Sequence, residues 1–146
     1  MRLTAMVCAA LLTALPVLAP TGAGAQEFQR LASKAGLVVL GTAQEFEVLT
    51  SAGVGKSNYF CAAGDFAHLR LGAPDSAQLL VASGRVASRY QKHRRAIVFR
   101  LADGSPQGRF SLHIGGPFSG QVLSVGHARG LCHSMRARSF EHRRDD

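Results

Sequence analysis

The segment NYFCAAGDFAHLRL, residues 58–71, decides the predicted fold because it predicts the main helix of the domain. At about 100° per residue its apolar side chains gather on one side, which predicts a helix packed on a sheet. These side chains are Tyr59, Ala62, Ala63, Phe66, Leu69 and the stem of Arg70. Gly64 weakens the helix by up to about 1 kcal/mol relative to alanine. Gly72 and Pro74 end it.

Short apolar or alternating runs on both sides of this helix predict strands. They are GLVVL (36–40), EFEVLT (45–50), AQLLVAS (77–83), AIVFRL (96–101), RFSLHI (109–114) and QVLSV (121–125). Residues 26–35 fit a short helix or an unstructured lead-in. The order of strands, one helix and more strands predicts a single α+β domain over residues 26–135. It would contain a largely antiparallel sheet of about five or six strands, with one main helix packed on a face.

The sequence of the N-terminal end predicts export, and that of the C-terminal end predicts a disordered tail. Residues 1–25 have an early Arg2, an apolar middle and the small residues Ala23-Gly24-Ala25. This is the pattern of a cleaved secretory signal peptide, and the apolar run is shorter than the ~20 residues of a membrane span. We therefore expect a periplasmic or extracellular protein without a transmembrane segment after cleavage. The stretch from Gly126 to Cys132 reads as a loop, and residues 136–146 as a disordered charged tail.

The cysteines point to one disulfide. Cys8 lies in the signal peptide, which leaves Cys61 and Cys132 in the mature chain. An even number of cysteines in a small exported domain predicts a bridge. Closing a loop of about 70 residues would add on the order of 4 kcal/mol to the free energy of unfolding.

The YFCAAGD segment (59–65) and the later Leu131-Cys132, together with the signal peptide, resemble small uncharacterised exported bacterial proteins. The resemblance covers about a third of the chain. It implies no activity, cofactor or site residue.

The stretch SAGVGKS, residues 51–57, ends like a phosphate-binding loop. That motif needs a glycine five residues before its Gly-Lys-Ser, so that backbone N–H groups can surround a phosphate. Thr50 occupies this position, and the motif is incomplete. We expect no nucleotide site, and we predict instead that Ser57 caps the helix.

Cys61, Asp65 and His68 fall on the helix face opposite the apolar stripe, and they are the residue types of a thiol-dependent hydrolase or transferase. Cys61 and His68 are seven residues apart, about 10 Å along the helix, which is too far for a nucleophile and its base. His113 or His127 would be a more feasible base. We therefore predict a solvated Asp65–His68 pair instead of a triad. The six scattered histidines lack the spacing of a metal site, and we expect neither metal nor cofactor.

The net charge of +8 and a polar stretch over residues 84–95 indicate an anionic partner. Its candidate binding residues are Arg85, Arg89, Lys92, Arg94, Arg95 and Arg100, with Tyr90 among them. The alternatives are a merely solubilising loop, or a structural or inhibitory partner of another exported protein. The preferred hypothesis is a non-enzymatic basic domain that binds an anionic envelope component or an acidic protein. The second hypothesis is an enzyme with Cys61 as its nucleophile.

Overall fold

A computed structural model describes the backbone of residues 27–102 and 116–141, and side chains within those ranges up to His133. The predicted signal peptide and the predicted strand at 109–114 lie outside the described residues. The described chain forms eight elements in this order: β1 (Gln29–Ala32), β2 (Val38–Gly41), β3 (Phe46–Leu49), α1 (Lys56–Leu69), β4 (Gln78–Ala87), β5 (Arg95–Ala102), β6 (Val122–Ser124) and α2 (Val125–Glu141).

The strands make one antiparallel sheet of six strands in the order β1-β2-β3-β5-β4-β6. The α+β prediction is therefore confirmed, with α1 as the main helix on the sheet. β1 replaces the helix or lead-in that we predicted for residues 26–35. β4 also extends further than predicted, to Ala87, with register irregularities between Val81 and Arg85.

One face of the sheet carries the main core. Directly opposed residues of antiparallel strands point to the same side, and the pairs Phe46–Phe99 and Val48–Ile97 point toward the helices. Phe66 of α1 packs on Phe46, with ring centroids 4.8 Å apart. This is the burial that the helical pattern predicted. Leu69 departs from the prediction because it is 54% exposed in the last turn of α1.

The opposite side of the sheet, which we call the loop face, is defined by Leu40, Glu47, Leu49, Ala96 and Val98. All five are buried. Three of them form a second, smaller apolar cluster, namely Leu40, Leu49 and Ala96. The strand at 45–50 is thus buried on both faces, whereas its alternating sequence predicted burial on one.

Helix α2 is the largest difference from the sequence prediction. Its first part occupies residues predicted to be a loop, and its backbone reaches Glu141, inside the segment for which we predicted disorder. Val125, Ala128 and Cys132 are buried, at helical spacing. α2 packs closely against α1, since a Cβ on Gly64 would lie 2.9 Å from the Ala128 Cβ. Among the helices that the structure describes, none is long and apolar enough to cross a membrane.

Candidate functional site: a basic hairpin beside a disulfide-linked helix pair

The predicted bridge between Cys61 and Cys132 is present in the structure. It joins α1 to α2 with a Cα–Cα distance of 5.1 Å across 71 residues of sequence. Both cysteines are buried. The side chain that the enzyme hypothesis needs as a free thiolate is therefore bonded to sulfur in this form of the protein.

Asp65 lies in a different environment from the one that we predicted. It is 2% exposed, because α2 packs on the part of α1 that was expected to face solvent. Its carboxylate accepts a hydrogen bond from the backbone N–H of Lys34 at 3.2 Å. The prediction of an Asp65–His68 pair on an exposed helix face is wrong, since no such pair occurs among the described residues.

His68 is directed elsewhere. Its Nδ1 lies 3.3 Å from the carbonyl oxygen of Ala73 and 4.0 Å from a carboxylate oxygen of Asp75. Cys61, Asp65 and His68 are thus not assembled into a triad. His127 lies exposed on α2, and His113 is outside the described residues.

Two sulfurs and one carboxylate form a compact group of potential metal ligands. The Sγ atoms of Cys61 and Cys132 and a carboxylate oxygen of Asp65 lie within 4.8 Å of one another. Because the two sulfurs are bonded to each other, neither is a thiolate that could coordinate an ion.

The six predicted binding cations are all exposed on or next to the hairpin formed by β4 and β5. The chain between these strands, residues 88–94, is called the β4–β5 loop here. The polar stretch over residues 84–95 would suggest a longer loop. Instead the loop is short and closes on itself, with the N–H of Ser88 donating to the carbonyl oxygen of Arg94 at 2.9 Å.

Glu47 holds this loop against the loop face. Its carboxylate is 1% exposed and accepts hydrogen bonds from the Ser88 hydroxyl at 2.6 Å and from the Arg89 N–H at 2.9 Å. The Ser88 hydroxyl also accepts from the N–H groups of Tyr90 and Gln91. A buried carboxylate is expensive unless such donors surround it, so these bonds fix the start of the loop.

Sequence reasoning missed Glu47. The available signal was a glutamate between Phe46 and Val48 in a strand of apolar residues, where a charged side chain needs a specific partner.

Three of the cations gather around Thr50, at the end of β3, and we call Arg85, Arg94 and Arg95 the arginine cluster. Nη2 of Arg85 lies 3.5 Å from Thr50 Oγ1, and Nη2 of Arg94 lies 3.4 Å from the Thr50 carbonyl oxygen. Nη2 of Arg95 donates to the carbonyl oxygen of Arg85 at 3.0 Å. In the part of the chain that the structure describes, no carboxylate forms an ion pair with any of the three.

The remaining cations are arranged differently. Arg89 pairs with Glu45 at 2.7 Å. Arg100 lines a separate shallow cleft of about 260 Å³, which also includes Glu45. Lys92 is exposed on the loop. The structure therefore divides the predicted set into the arginine cluster and more isolated positions.

A cleft of about 270 Å³ opens beside the arginine cluster. Its lining includes Arg85, Tyr59, Pro117 and the segment from Thr50 to Val54. The Tyr59 hydroxyl donates to the carbonyl oxygen of Ser51 at 3.2 Å. This cleft offers the guanidinium of Arg85 to a small anionic group.

The Gly-Lys-Ser segment does not point its lysine into the cleft. Nζ of Lys56 lies over the Phe118 ring, 5.4 Å from its centroid. α1 begins at Lys56 with Gly55 as its N-cap and has no side-chain capping bond. The prediction that Ser57 caps the helix is therefore wrong.

The structure also reveals an aromatic pair that sequence reasoning did not find. The rings of Phe28 and Tyr90 lie with centroids 5.0 Å apart and planes inclined by 58°. The β4–β5 loop brings Tyr90 to the start of β1, and no sequence pattern links positions so distant in the chain.

The chain was compared with protein-family models, curated proteins and solved structures, and none of them matches it.

Proposed function

We propose that the protein is an exported, disulfide-stabilised domain without enzymatic activity that binds an anionic partner through its basic hairpin surface. This surface consists of the exposed cations of β4, β5 and the loop between them, namely Arg85, Arg89, Lys92, Arg94, Arg95 and Arg100. The observation that carries the proposal is the arginine cluster, whose three guanidinium groups form no ion pair among the described residues.

Electrostatics supports this function. Like charges that gather without counter-charges repel one another, and an anion placed among them removes that repulsion. Guanidinium groups also match the geometry of carboxylates and phosphates, with which they form paired hydrogen bonds. The adjoining cleft at Arg85 can admit one such group of the partner.

The contacts that hold the site in place favour recognition by a surface that is ordered before binding. Glu47 fixes the loop, and the disulfide fixes the helix pair. A surface ordered before it meets its partner loses less conformational entropy on binding. A disulfide of this kind persists in the oxidising compartments outside the cytoplasm, which agrees with export.

The enzyme hypothesis differs from this proposal because it requires Cys61 to be a free thiolate. The two hypotheses can be separated by the intact mass of the protein after alkylation. The protein is isolated from the compartment to which it is exported, and no reductant is added. We expect no alkylation of Cys61 or Cys132. Alkylation of both would overturn the non-enzymatic proposal and direct attention to catalysis at α1.

The binding test compares two double variants that change the net charge equally. Arg94→Glu with Arg95→Glu alters the arginine cluster, and Lys34→Glu with Arg70→Glu alters exposed cations elsewhere. Association is measured with vesicles containing phosphatidylglycerol and with alginate, at low and at high salt.

We expect the cluster variant to bind at least about tenfold more weakly, since each cation near an anionic surface contributes about 1 kcal/mol. The control variant should lose much less. Binding should also weaken as salt is added. Equal losses in the two variants would remove the hairpin from the proposal, and an unmodified protein that binds neither probe would refute it.

A further inference from the structure

We propose that the anionic partner is a lipid bilayer surface, which the protein contacts with the Phe28–Tyr90 aromatic pair inserted between the headgroups. This inference depends on the proposed function, because it names the partner of the same basic surface. It rests on a separate observation, the position and exposure of the two rings.

The two rings are exposed although they contact each other. Phe28 is 50% exposed and Tyr90 is 41% exposed. Within the described residues the large hydrophobic side chains at the surface are Phe28, Leu69, Val86 and Tyr90, and all but Leu69 lie on the hairpin or against it. Three of these four exposed side chains thus lie on the hairpin that carries the cations, or against it.

The loop keeps rings and cations close together. Arg89 precedes Tyr90 in the chain, and Tyr90 is two positions after Ser88, a span of at most about 7 Å between Cα atoms. Ser88 is in turn hydrogen bonded to Arg94 and to Glu47. Tyr90 therefore belongs to the same short, ordered loop as Arg89 and Arg94.

This combination matches the chemistry of a membrane interface. Aromatic side chains favour the headgroup level, where an apolar ring is buried and a tyrosine hydroxyl stays hydrated. Arginine and lysine add attraction to anionic lipids. Binding by two apolar rings and several cations is peripheral and reversible, and it needs no membrane-spanning helix.

An acidic polysaccharide is the main competing partner. Aromatic sites for sugars present a flat ring face to the sugar ring. The planes of Phe28 and Tyr90 are inclined by 58°, and each ring covers part of the other. The pair therefore does not offer a flat surface on which a sugar ring could stack, and its tilted shape favours insertion into a lipid interface over binding to a polysaccharide.

The chain has no tryptophan, so a single introduced tryptophan reports its own surroundings. We would compare Tyr90→Trp with Leu69→Trp, which places the probe at a similarly exposed position on α1. Tryptophan fluorescence emission and its quenching by iodide are recorded with vesicles that contain phosphatidylglycerol, with pure phosphatidylcholine vesicles and with alginate. Co-sedimentation measures binding in the same samples.

We expect a blue shift and protection from iodide for Tyr90→Trp with the anionic vesicles alone, and no change for Leu69→Trp. Phe28→Ala and Tyr90→Ala should each weaken vesicle binding about tenfold, as removal of one buried ring predicts. Their melting temperatures should change little, because about half of each side chain is exposed. Leu69→Ala should bind normally.

Other outcomes would overturn the inference. Vesicle binding without a change in Tyr90→Trp emission would agree with the proposed function but refute the insertion of the two rings into the bilayer. A blue shift with alginate alone would replace the bilayer by a polysaccharide. Absence of binding to vesicles and to alginate would refute the proposed function itself.

Discussion

The carboxylate of Glu47 lies beneath the β4–β5 loop and accepts a 2.6 Å hydrogen bond from the hydroxyl of Ser88, 41 residues later in the chain. This contact couples the interior of the sheet to the surface that we propose for binding. The charge of Glu47 is buried, yet its function is to hold in place residues that are exposed.

Replacement of Glu47 by alanine should lower the free energy of unfolding by about 2–3 kcal/mol, because Ser88 and the Arg89 N–H lose their acceptor. The loop should also become mobile, and hydrogen exchange at the Arg89 amide should accelerate. Urea denaturation and amide exchange measure the two effects. The matched control is Glu45→Ala, which removes an exposed ion pair with Arg89 and should cost about 0.5 kcal/mol. Similar losses in both variants would contradict the anchoring role of Glu47.

Gly64→Ala should destabilise the fold by about 1–3 kcal/mol, although alanine is the better helix former. The new Cβ would meet the Ala128 Cβ at 2.9 Å and the Arg129 nitrogen at 3.0 Å, so the two helices would have to separate. Gly130→Ala on α2 is the control, since its Cβ meets nothing within 4 Å. The control should gain up to about 1 kcal/mol in thermal or urea unfolding. A stabilised Gly64→Ala variant would show that the helices do not approach this closely.

Reduction of the disulfide should lower the free energy of unfolding by about 4 kcal/mol, from the entropy of a loop closed across 71 residues. The measurement is urea unfolding with and without a phosphine reductant. A variant with Cys61→Ala and Cys132→Ala serves as the control, because its unfolding should not respond to the reductant. If that variant responds equally, the effect of the reductant does not come from this bridge.

His93→Val should cost about 1–2 kcal/mol, because His93 has a φ of 64° and β-branched residues fit the left-handed region poorly. His93→Gly should be neutral or stabilising. Lys92→Val tests the neighbouring position on the loop, and we expect no comparable loss there. Urea denaturation of the three variants gives the comparison. Equal stability of His93→Val and His93→Gly would argue against a left-handed backbone at this residue.

The sheet and α1 could be predicted because their apolar residues repeat with clear periods. Phe46 and Val48 alternate with Glu47 and Leu49, and Phe66 lies in a stripe at helical spacing. β1 was missed because a four-residue edge strand with two exposed residues has little pattern. Its place in the sheet depends on pairing with β2, which is a tertiary effect.

Helix α2 was missed for a different reason. Val125, Ala128 and Cys132 have helical spacing, but glycines at 126 and 130 and many charged residues hide it. Because α2 was not predicted, the prediction for Asp65 was also wrong, since α2 is the element that buries this residue. The carboxylate of Asp65, for which the sequence predicts exposure to solvent, thus lies in the interior beside the disulfide.

The pairing of Cys61 with Cys132 also constrains the order of events during biosynthesis. The second sulfur emerges only after β4, β5 and β6 have been made, so the bond can form only late in synthesis or afterwards. Until then the Cys61 thiol, in an apolar segment of α1, has no Cys132 with which to pair, and a wrong partner could capture it. Oxidation of this pair can therefore act only on a chain in which all six described strands have already been synthesised.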